Sequence, residues 1–195
     1  MTDSKNNNIS KLVPIMFAFF AMGFVDMVGT ATNYAKADFN LSDTMANFLP
    51  SMVFLWFFIL SVPTSMLMNR IGKKNTVVIS LVITALALVL PLVGYSYPVM
   101  LVSFCLVGIG NTLMQVSLNP LIACVVKGDK LASSLTFGQF VKAIASFSAP
   151  LIASWAAVHF GNWRILYAVF LVMGVAATLY VWLTKIEEDA PAEKT

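Results

Sequence analysis

The sequence predicts an all-α membrane protein with six transmembrane helices. The chain of 195 residues is 59% hydrophobic and only 11% charged. Its apolar residues fall into six long runs, and short polar segments separate them. Soluble proteins are about 45–50% apolar and about 25% charged, and a domain of this size leaves much of its surface exposed. The composition therefore excludes an ordinary soluble enzyme, a disordered segment and a nucleic-acid-binding domain.

Each of the six runs is long enough to cross a bilayer, which needs about 20 apolar residues. Helices are expected because barrel strands would be about half as long and would alternate polar and apolar residues. The runs define a bundle, residues 12–184, between an N-terminal tail, residues 1–11, and a final segment, residues 185–195, that is a tail or the start of a central loop. In chain order the predicted spans are Leu12–Ala35, Thr44–Met68, Thr76–Tyr95, Pro98–Val126, Leu131–His159 and Trp163–Thr184.

Local features support the individual spans. The first is too long for the apolar core of a cleaved signal peptide. The second, fourth and fifth contain Pro63, Pro120 and Pro150, which a membrane helix tolerates when neighbouring helices satisfy the freed carbonyls. The fifth also carries small residues four positions apart, such as Ala145 and Ala149, a spacing that favours close helix packing. The third and sixth place no charge within the bilayer.

The basic residues of the polar segments indicate the orientation. Nine lie on the side of both termini and two on the opposite side, so the positive-inside rule predicts that both termini are in the cytoplasm. The chain is expected to be a multi-pass protein of the cell (inner) membrane. The acidic run Glu187–Asp189 is expected to be solvated. The nine are Lys5, Lys11, Arg70, Lys73, Lys74, Lys127, Lys130, Lys185 and Lys194, and the two are Lys36 and Arg164.

Two charged side chains are predicted within the bilayer, Asp26 in the first span and Lys142 in the fifth. A charge near the bilayer centre costs about 2.5–3.5 kcal/mol even on the lenient insertion scale. Opposite charges in one small bundle therefore indicate either an ion pair that fixes packing or a shared water-filled cavity on a solute or ion path. The cavity is favoured because small residues pack helices at lower cost.

Polar residues extend from these charges along three helix faces, since residues three, four and seven positions apart share a face. Their amides and hydroxyls either bond neighbouring helices, at about 0.6 kcal/mol each, or bind the hydroxyls of a polar solute. Three stripes that include two charges favour the solute, and Trp56 or a phenylalanine is a candidate to stack on a sugar ring. The stripes are Gly23, Asp26, Thr30 and Asn33; Gly108, Asn111, Gln115 and Asn119; and Gln139, Lys142 and Ser146.

Metal and cofactor chemistry is not expected. Cys105 and Cys124 are 19 positions apart in one predicted helix and cannot pair with each other. The only histidine is His159, and no Cys/His cluster has metal-ligand spacing.

Several segments resemble the major facilitator superfamily. The loop between the second and third spans, Ser65–Lys74, is similar to that family's signature G-x-L-x-D-R-x-G-[RK]-[RK]. The run Ala145–Ser154 resembles G-x-x-x-G-P-x-x-G-G, and Trp163–Arg164 at the mouth of the sixth span is a further likeness. More narrowly, Asp26 and Gln115–Pro120 resemble the fucose and glucose/galactose symporters, which have an Asp in span one and E-T-A-A-N-P in span four. The signature positions of the loop are Asn69, Arg70, Gly72, Lys73 and Lys74.

Four positions depart from the family pattern. Ser65 replaces a glycine of the loop signature and Asn69 replaces its aspartate, which removes a carboxylate from that loop. Phe104 stands where many members have an arginine in span four, and Gln115 stands where the narrower branch has a glutamate. Asp26 is then the one remaining intramembrane carboxylate, and Lys142 is a candidate to compensate by pairing with it.

The resemblance implies the first half of a major facilitator fold, with six helices in 3+3 inverted repeats. A second six-helix half would complete it, either a C-terminal half or a homodimer partner. The implied activity is secondary active transport of a small polar solute, a sugar in the narrower branch, coupled to H⁺ or Na⁺ by alternating access. Asp26 and Lys142 would couple the ion. The candidate solute-binding residues are Thr30, Asn33, Trp56, Asn111, Gln115, Asn119 and Gln139.

Two alternatives remain open. In the first, the chain is a truncated or accessory half without transport of its own. In the second, it is part of a proton-coupled drug or solute antiporter, because the small-residue run of the fifth span also resembles the antiporter signature. A channel or intramembrane enzyme is disfavoured because no pore-lining rings are present and Asp26 has no intramembrane acidic partner.

Overall fold

The structure is a computed structural model that describes the backbone of residues 2–188 and the side chains of residues 10–188. All regular secondary structure in this part of the chain is helical. The elements are α1 (Thr2–Met22), a 3₁₀ segment (Gly23–Asp26), α2 (Met27–Asp38), α3 (Asp43–Ile71), α4 (Lys73–Val93), α5 (Tyr97–Val125), α6 (Lys130–Phe160) and α7 (Ile165–Leu183).

Six helical regions of the described chain are long and apolar enough to cross a membrane, which confirms the predicted fold class. The first is Ser10–Asp38 and joins α1, the 3₁₀ segment and α2; the others are α3 to α7. Two details differ from the prediction. Helix α1 begins at Thr2 rather than Leu12, because hydropathy locates where a helix enters an apolar phase and not where it starts. The first span is also interrupted by tighter 3₁₀ winding at Gly23–Asp26.

The joints between spans are short for local reasons. Ser42 has extended backbone before α3, and its Oγ accepts a hydrogen bond from the Met45 amide at 3.3 Å, which is the N-cap arrangement. Gly72, with φ +92°, separates α3 from α4 within one residue, and Gly161, with φ +63°, ends α6. Both conformations favour glycine. Consecutive spans therefore turn back sharply and lie antiparallel.

Glycines bring helix backbones together next to the predicted polar stripes. A Cβ atom built on Gly23 would lie 2.5 Å from the Lys142 carbonyl oxygen, and one built on Gly108 would lie 2.7 Å from the Val53 carbonyl oxygen. The 3₁₀ segment is thereby held against α6, and α5 against α3. The small-residue run of α6 is also packed inside, as predicted. Its buried members are Ala145, Ala149 and Ala153.

An aromatic and charged cluster closes one end of the bundle. The Asp38 carboxylate accepts hydrogen bonds from the Trp163 indole, at 2.8 Å, and from the Tyr95 hydroxyl. The Arg164 guanidinium lies 4.4 Å from the centroid of the Tyr95 ring, and Tyr34 stacks on Trp163. Burial raises the pKa of the Tyr95 phenol above its usual range, and the bond to Asp38 adds to the effect. The cluster joins the end of α2 to the start of α7.

Candidate functional site: a polar cavity between four spans

A cavity of about 230 Å³ lies between the first, second, fourth and fifth spans. It collects residues from three elements that the sequence analysis marked as polar stripes and from α3. Its walls are mixed, with polar groups on one part and aromatic and aliphatic groups on the rest. The lining residues are Val25, Asp26, Val28, Val53, Phe54, Phe57, Asn111, Gln115 and Lys142.

Asp26 and Lys142, the two predicted intramembrane charges, line this same cavity. Asp26 is the last residue of the 3₁₀ segment, and its carboxylate accepts a hydrogen bond from the Ser146 hydroxyl on α6. Within the described residues no ion pair joins Asp26 to Lys142. Of the two arrangements that the sequence left open, the structure therefore has the shared cavity rather than the direct pair.

Asn111 supplies an uncommitted hydrogen-bonding group. Its side chain is only 9% exposed, and its Oδ1 atom is buried with no hydrogen-bond partner among the described residues. A buried polar atom without a partner costs about 1–3 kcal/mol, which makes Asn111, a residue of the cavity wall, a candidate to bind a polar group. Gln115, one helical turn further along α5, is half-buried and adds a second amide to the same wall.

The other predicted solute-binding residues do not line the cavity. Thr30 and Trp56 are half-buried, and Asn33, Asn119 and Gln139 are exposed. The exposed three lie further along the same stripes as Asp26, Gln115 and Lys142 and continue the polar surface away from the cavity.

The sequence analysis did not name five of the lining residues, three of which are valines. The other two are aromatic, Phe54 and Phe57 of α3. They lie three positions apart and so share a helix face. The sequence analysis expected Trp56 or a phenylalanine to stack on the solute without saying which phenylalanine, and Trp56 does not line the cavity. Phe54 is 71% exposed at the edge of the cavity, where an aromatic ring can contact the apolar face of a solute.

A larger cavity of about 440 Å³ lies between α1, α6 and α7. Its lining is entirely apolar and includes Met16, Phe20 and Val141. With no group that can donate or accept a hydrogen bond, it is unsuited to a polar solute. The smaller cavity around Asp26 is therefore the candidate site.

The loop that carries the predicted signature binds the segment after α7. Both carboxylate oxygens of Glu188 accept backbone hydrogen bonds at the start of α4, from the Lys73 amide at 2.6 Å and the Lys74 amide at 2.8 Å. The Lys74 ammonium donates to the Trp182 carbonyl at 3.0 Å, and the Lys73 ammonium lies 3.4 Å from the Cys124 Sγ atom. A carboxylate thus satisfies two free amides and the positive end of a helix dipole.

Of the other signature residues, Gly72 adjoins this contact. A Cβ atom on Gly72 would lie 3.1 Å from the Glu188 carboxylate, so a glycine leaves room for it. Asn69 and Arg70 are exposed. The expectation that the acidic run is solvated is wrong for Glu188, because the fold brings a helix N-terminus to it. Glu187 is exposed as expected, and Asp189 lies outside the described residues.

A comparison with protein families decides the membership of the chain. The model of the Major Facilitator Superfamily matches residues 15–195. The chain belongs to the Major Facilitator Superfamily. With its six apolar helices, this superfamily chain is a multi-pass membrane protein, and the match points to a transporter rather than an enzyme.

Two individual transporters are similar in sequence to this chain. The chain is similar to the glucose/galactose transporters of Brucella abortus biovar 1 (strain 9-941) and of Brucella abortus (strain 2308). Each is 28% identical over 157 residues, which cover 78% of this chain and 38% of the relative. The chain therefore spans less than half the length of these relatives. The resemblance to the sugar symporter branch noted from the sequence agrees with them.

Solved structures share the fold. One comes from work on substrate recognition in proton dependent oligopeptide transporters; it has a TM-score of 0.77 and 17% identity over 98% of this chain and 44% of that one. Tetrameric PepTSo2 has a TM-score of 0.75 and 17% identity over 90% and 40%. At this identity the likeness establishes the architecture alone, and the chain has the fold of one half of a superfamily member.

Proposed function

We propose that the chain is the N-terminal half of a secondary active transporter that moves a small polar solute by alternating access. One observation carries the proposal: Asp26, Lys142, Asn111 and Gln115, from the interior of three helical regions long enough to cross a membrane, line a single cavity. Polar groups within a bilayer are costly, and a bundle that needed only to pack would use the small residues found elsewhere in it.

A sugar is the solute class that this cavity favours. The Asn111 and Gln115 amides offer both donors and acceptors, which suits hydroxyl groups, and Phe54 and Phe57 offer rings for the apolar face of a pyranose. The glucose/galactose transporters among the relatives support the same class. Thr30, Asn33, Trp56, Asn119 and Gln139 would contact the solute where the transport path continues beyond the cavity.

Asp26 is the proposed coupling residue, with H⁺ or Na⁺ as the coupling ion. It is the only carboxylate among the cavity residues, and Lys142 is the only cation among them. Neutralising Asp26 by a proton or a bound Na⁺ would change its attraction to the Lys142 ammonium. An ion that binds one conformation more tightly shifts the balance between conformations, and coupling requires no more than that. No other cofactor enters the scheme.

The transporter would be completed by a second six-helix half, a C-terminal half or a homodimer partner. The share of the relatives that this chain covers supports a missing half, as do the exposed polar residues beside the cavity. The excess of basic residues at the end of the bundle that holds Lys73, Lys74 and Glu188 supports an inner-membrane orientation with both termini in the cytoplasm.

Transport of labelled galactose tests the proposal. The chain is expressed from its native coding region, so that the half that completes it is present, in cells without galactose uptake of their own. We expect Asp26→Asn to abolish accumulation driven by an H⁺ or Na⁺ gradient while exchange of internal for external galactose survives. Asp129→Asn, a matched change at an exposed residue between α5 and α6, should leave both unchanged. Undiminished accumulation by Asp26→Asn would remove Asp26 from the coupling role.

A further inference from the structure

Ser146 lies where the two irregular helices of the cavity meet. Its hydroxyl is within hydrogen-bonding distance of two acceptors, the Asp26 carboxylate on the first span and the Lys142 carbonyl oxygen one turn earlier on α6, at 3.1 Å. A hydroxyl has one proton and can donate to one acceptor at a time. Which acceptor receives it depends on whether Asp26 is charged.

We propose that Ser146 is a positioning residue whose hydroxyl proton turns from Asp26 to the Lys142 carbonyl when Asp26 is protonated. A charged Asp26 can only accept, so it takes the Ser146 proton. A protonated Asp26 carries its own O–H and donates it to the Ser146 oxygen, which leaves the Ser146 proton for the Lys142 carbonyl. The arriving proton stays on Asp26, and no covalent bond of Ser146 changes. The inference rests on the proposed coupling function of Asp26.

The Lys142 carbonyl is placed so that its hydrogen bonding matters to the helix contact. It faces Gly23 at the closest approach of the 3₁₀ segment to α6, where even a methyl group would be 2.5 Å away. A serine that bonds the carbonyl four residues earlier tends to bend its helix. Protonation of Asp26 would therefore alter the turn of α6 that carries the Lys142 side chain.

Both helices are already weakened at this point. Pro150 lies four residues after Ser146 in α6. Because proline has no N–H, the Ser146 carbonyl lacks the backbone hydrogen bond that it would accept in a regular helix. Opposite it, Asp26 ends a 3₁₀ turn within a longer helix, a feature that often marks a hinge or strain. A small change in hydrogen bonding can bend a helix more easily where its ladder is incomplete.

In the proposed switch, the charge state of Asp26 alone decides which acceptor receives the Ser146 proton, because no other acidic residue lines the cavity. Of the residues that line the cavity, only Asp26 and Lys142 are charged. Helix α3 contributes the uncharged rings of Phe54 and Phe57 to the cavity wall. Helix α5 contributes the neutral amides of Asn111 and Gln115. Lys142 is the one charged residue that α6 contributes to the lining.

Carbonyl chemical shifts test the inference directly in the chain reconstituted in lipid bilayers. Lysine labelled with ¹³C at the carbonyl, together with ¹⁵N-alanine, selects two peptide bonds in this sequence, Lys142–Ala143 and Lys36–Ala37. We expect acidification to move the Lys142 carbonyl resonance downfield in the unaltered chain as it gains a hydrogen bond. The Lys36 carbonyl, at the other end of the first span, is the internal reference.

Variants separate the proposed switch from a structural role. Ser146→Ala should abolish the movement, and Ser146→Thr, which keeps the hydroxyl, should restore it. Asp26→Asn should hold the resonance at one position at every pH, since the amide that replaces the carboxylate does not gain or lose a proton. Ser148→Ala is the matched control, because Ser148 bonds the Ala145 carbonyl at 2.8 Å on the same helix; it should behave as the unaltered chain.

A Lys142 resonance that moves equally in Ser146→Ala, or that does not move in the unaltered chain, would overturn the inference. If Ser146→Ala does not fold, the comparison of the unaltered chain with Asp26→Asn still decides, because a pH-dependent shift that survives Asp26→Asn contradicts it. The readout needs no transport. A shift without galactose uptake would support the switch and count against the proposed function. Galactose uptake without a shift would support the proposed function and overturn the switch.

Discussion

Glu188→Gln should loosen the contact between the signature loop and the segment after α7. The carboxylate accepts two amides of the first turn of α4, at 2.6 and 2.8 Å. Hydrogen bonds to charged groups contribute about 1.5–3 kcal/mol, and a charge at an exposed helix N-terminus about 0.3–1 kcal/mol. Glu188 is half-buried and glutamine keeps one acceptor, so we expect a loss of about 1–2 kcal/mol, a factor of about 5–30 in the local opening equilibrium.

Amide hydrogen exchange at Lys73 and Lys74 measures this opening in lipid nanodiscs. Exchange should be about 5–30 times faster in Glu188→Gln than in the unaltered chain. Glu187→Gln is the matched control, because the neighbouring carboxylate is exposed, and it should leave both amides unchanged. Equal exchange in Glu188→Gln and the unaltered chain, or equal acceleration by both variants, would refute the capping role.

Two further predictions concern packing and titration. Gly108→Ala should lower the free energy of unfolding by about 1–3 kcal/mol in thermal unfolding, because its Cβ would meet the Val53 backbone at 2.7 Å; Gly29→Ala, with no atom within 4 Å, should not, and equal losses would contradict the close contact. Asp38→Asn should make the Tyr95 phenol titrate at lower pH in ultraviolet difference spectra, because the carboxylate helps raise its pKa. That contribution to stability is present below the ordinary tyrosine pKa of about 10 and is lost as the pH rises through the raised value; an unchanged titration would show that burial alone sets it.

The six spans could be predicted from the sequence because lipid imposes a length and an apolar composition that soluble proteins do not share. The 3₁₀ winding at Gly23–Asp26 could not. It contains no proline, and its single glycine does not by itself distinguish 3₁₀ winding from an ordinary membrane helix. The tight turn follows from contact with α6, which Gly23 permits at close range.

Helical spacing was enough to place Asp26, Asn111, Gln115 and Lys142 on faces that could meet, and the fold brings them to one cavity. Spacing cannot show where a stripe leaves the cavity, since that depends on the tilt and crossing of neighbouring helices. Asn119 shares the stripe of Gln115 and is exposed for this reason.

The Glu188 contact lay beyond sequence reasoning. It joins residues about 115 positions apart, and an acidic residue in a charged segment is ordinarily solvated. Only the arrangement of α4 beside α7 brings the free amides of one helix to the chain that leaves the other. The loop signature indicated that this turn has a role, and the geometry identifies the carboxylate that it binds.

Labelling of one introduced cysteine tests the central claim most directly. In a chain whose Cys105 and Cys124 are replaced by serine, a membrane-impermeant sulfonated thiol reagent should react with Gln115→Cys, and galactose should slow the reaction. Val172→Cys, at an exposed position on α7 away from the cavity, should remain unreactive because it faces lipid. A Gln115→Cys thiol that no aqueous reagent reaches, or one that galactose leaves equally reactive, would contradict a solute path past Asp26.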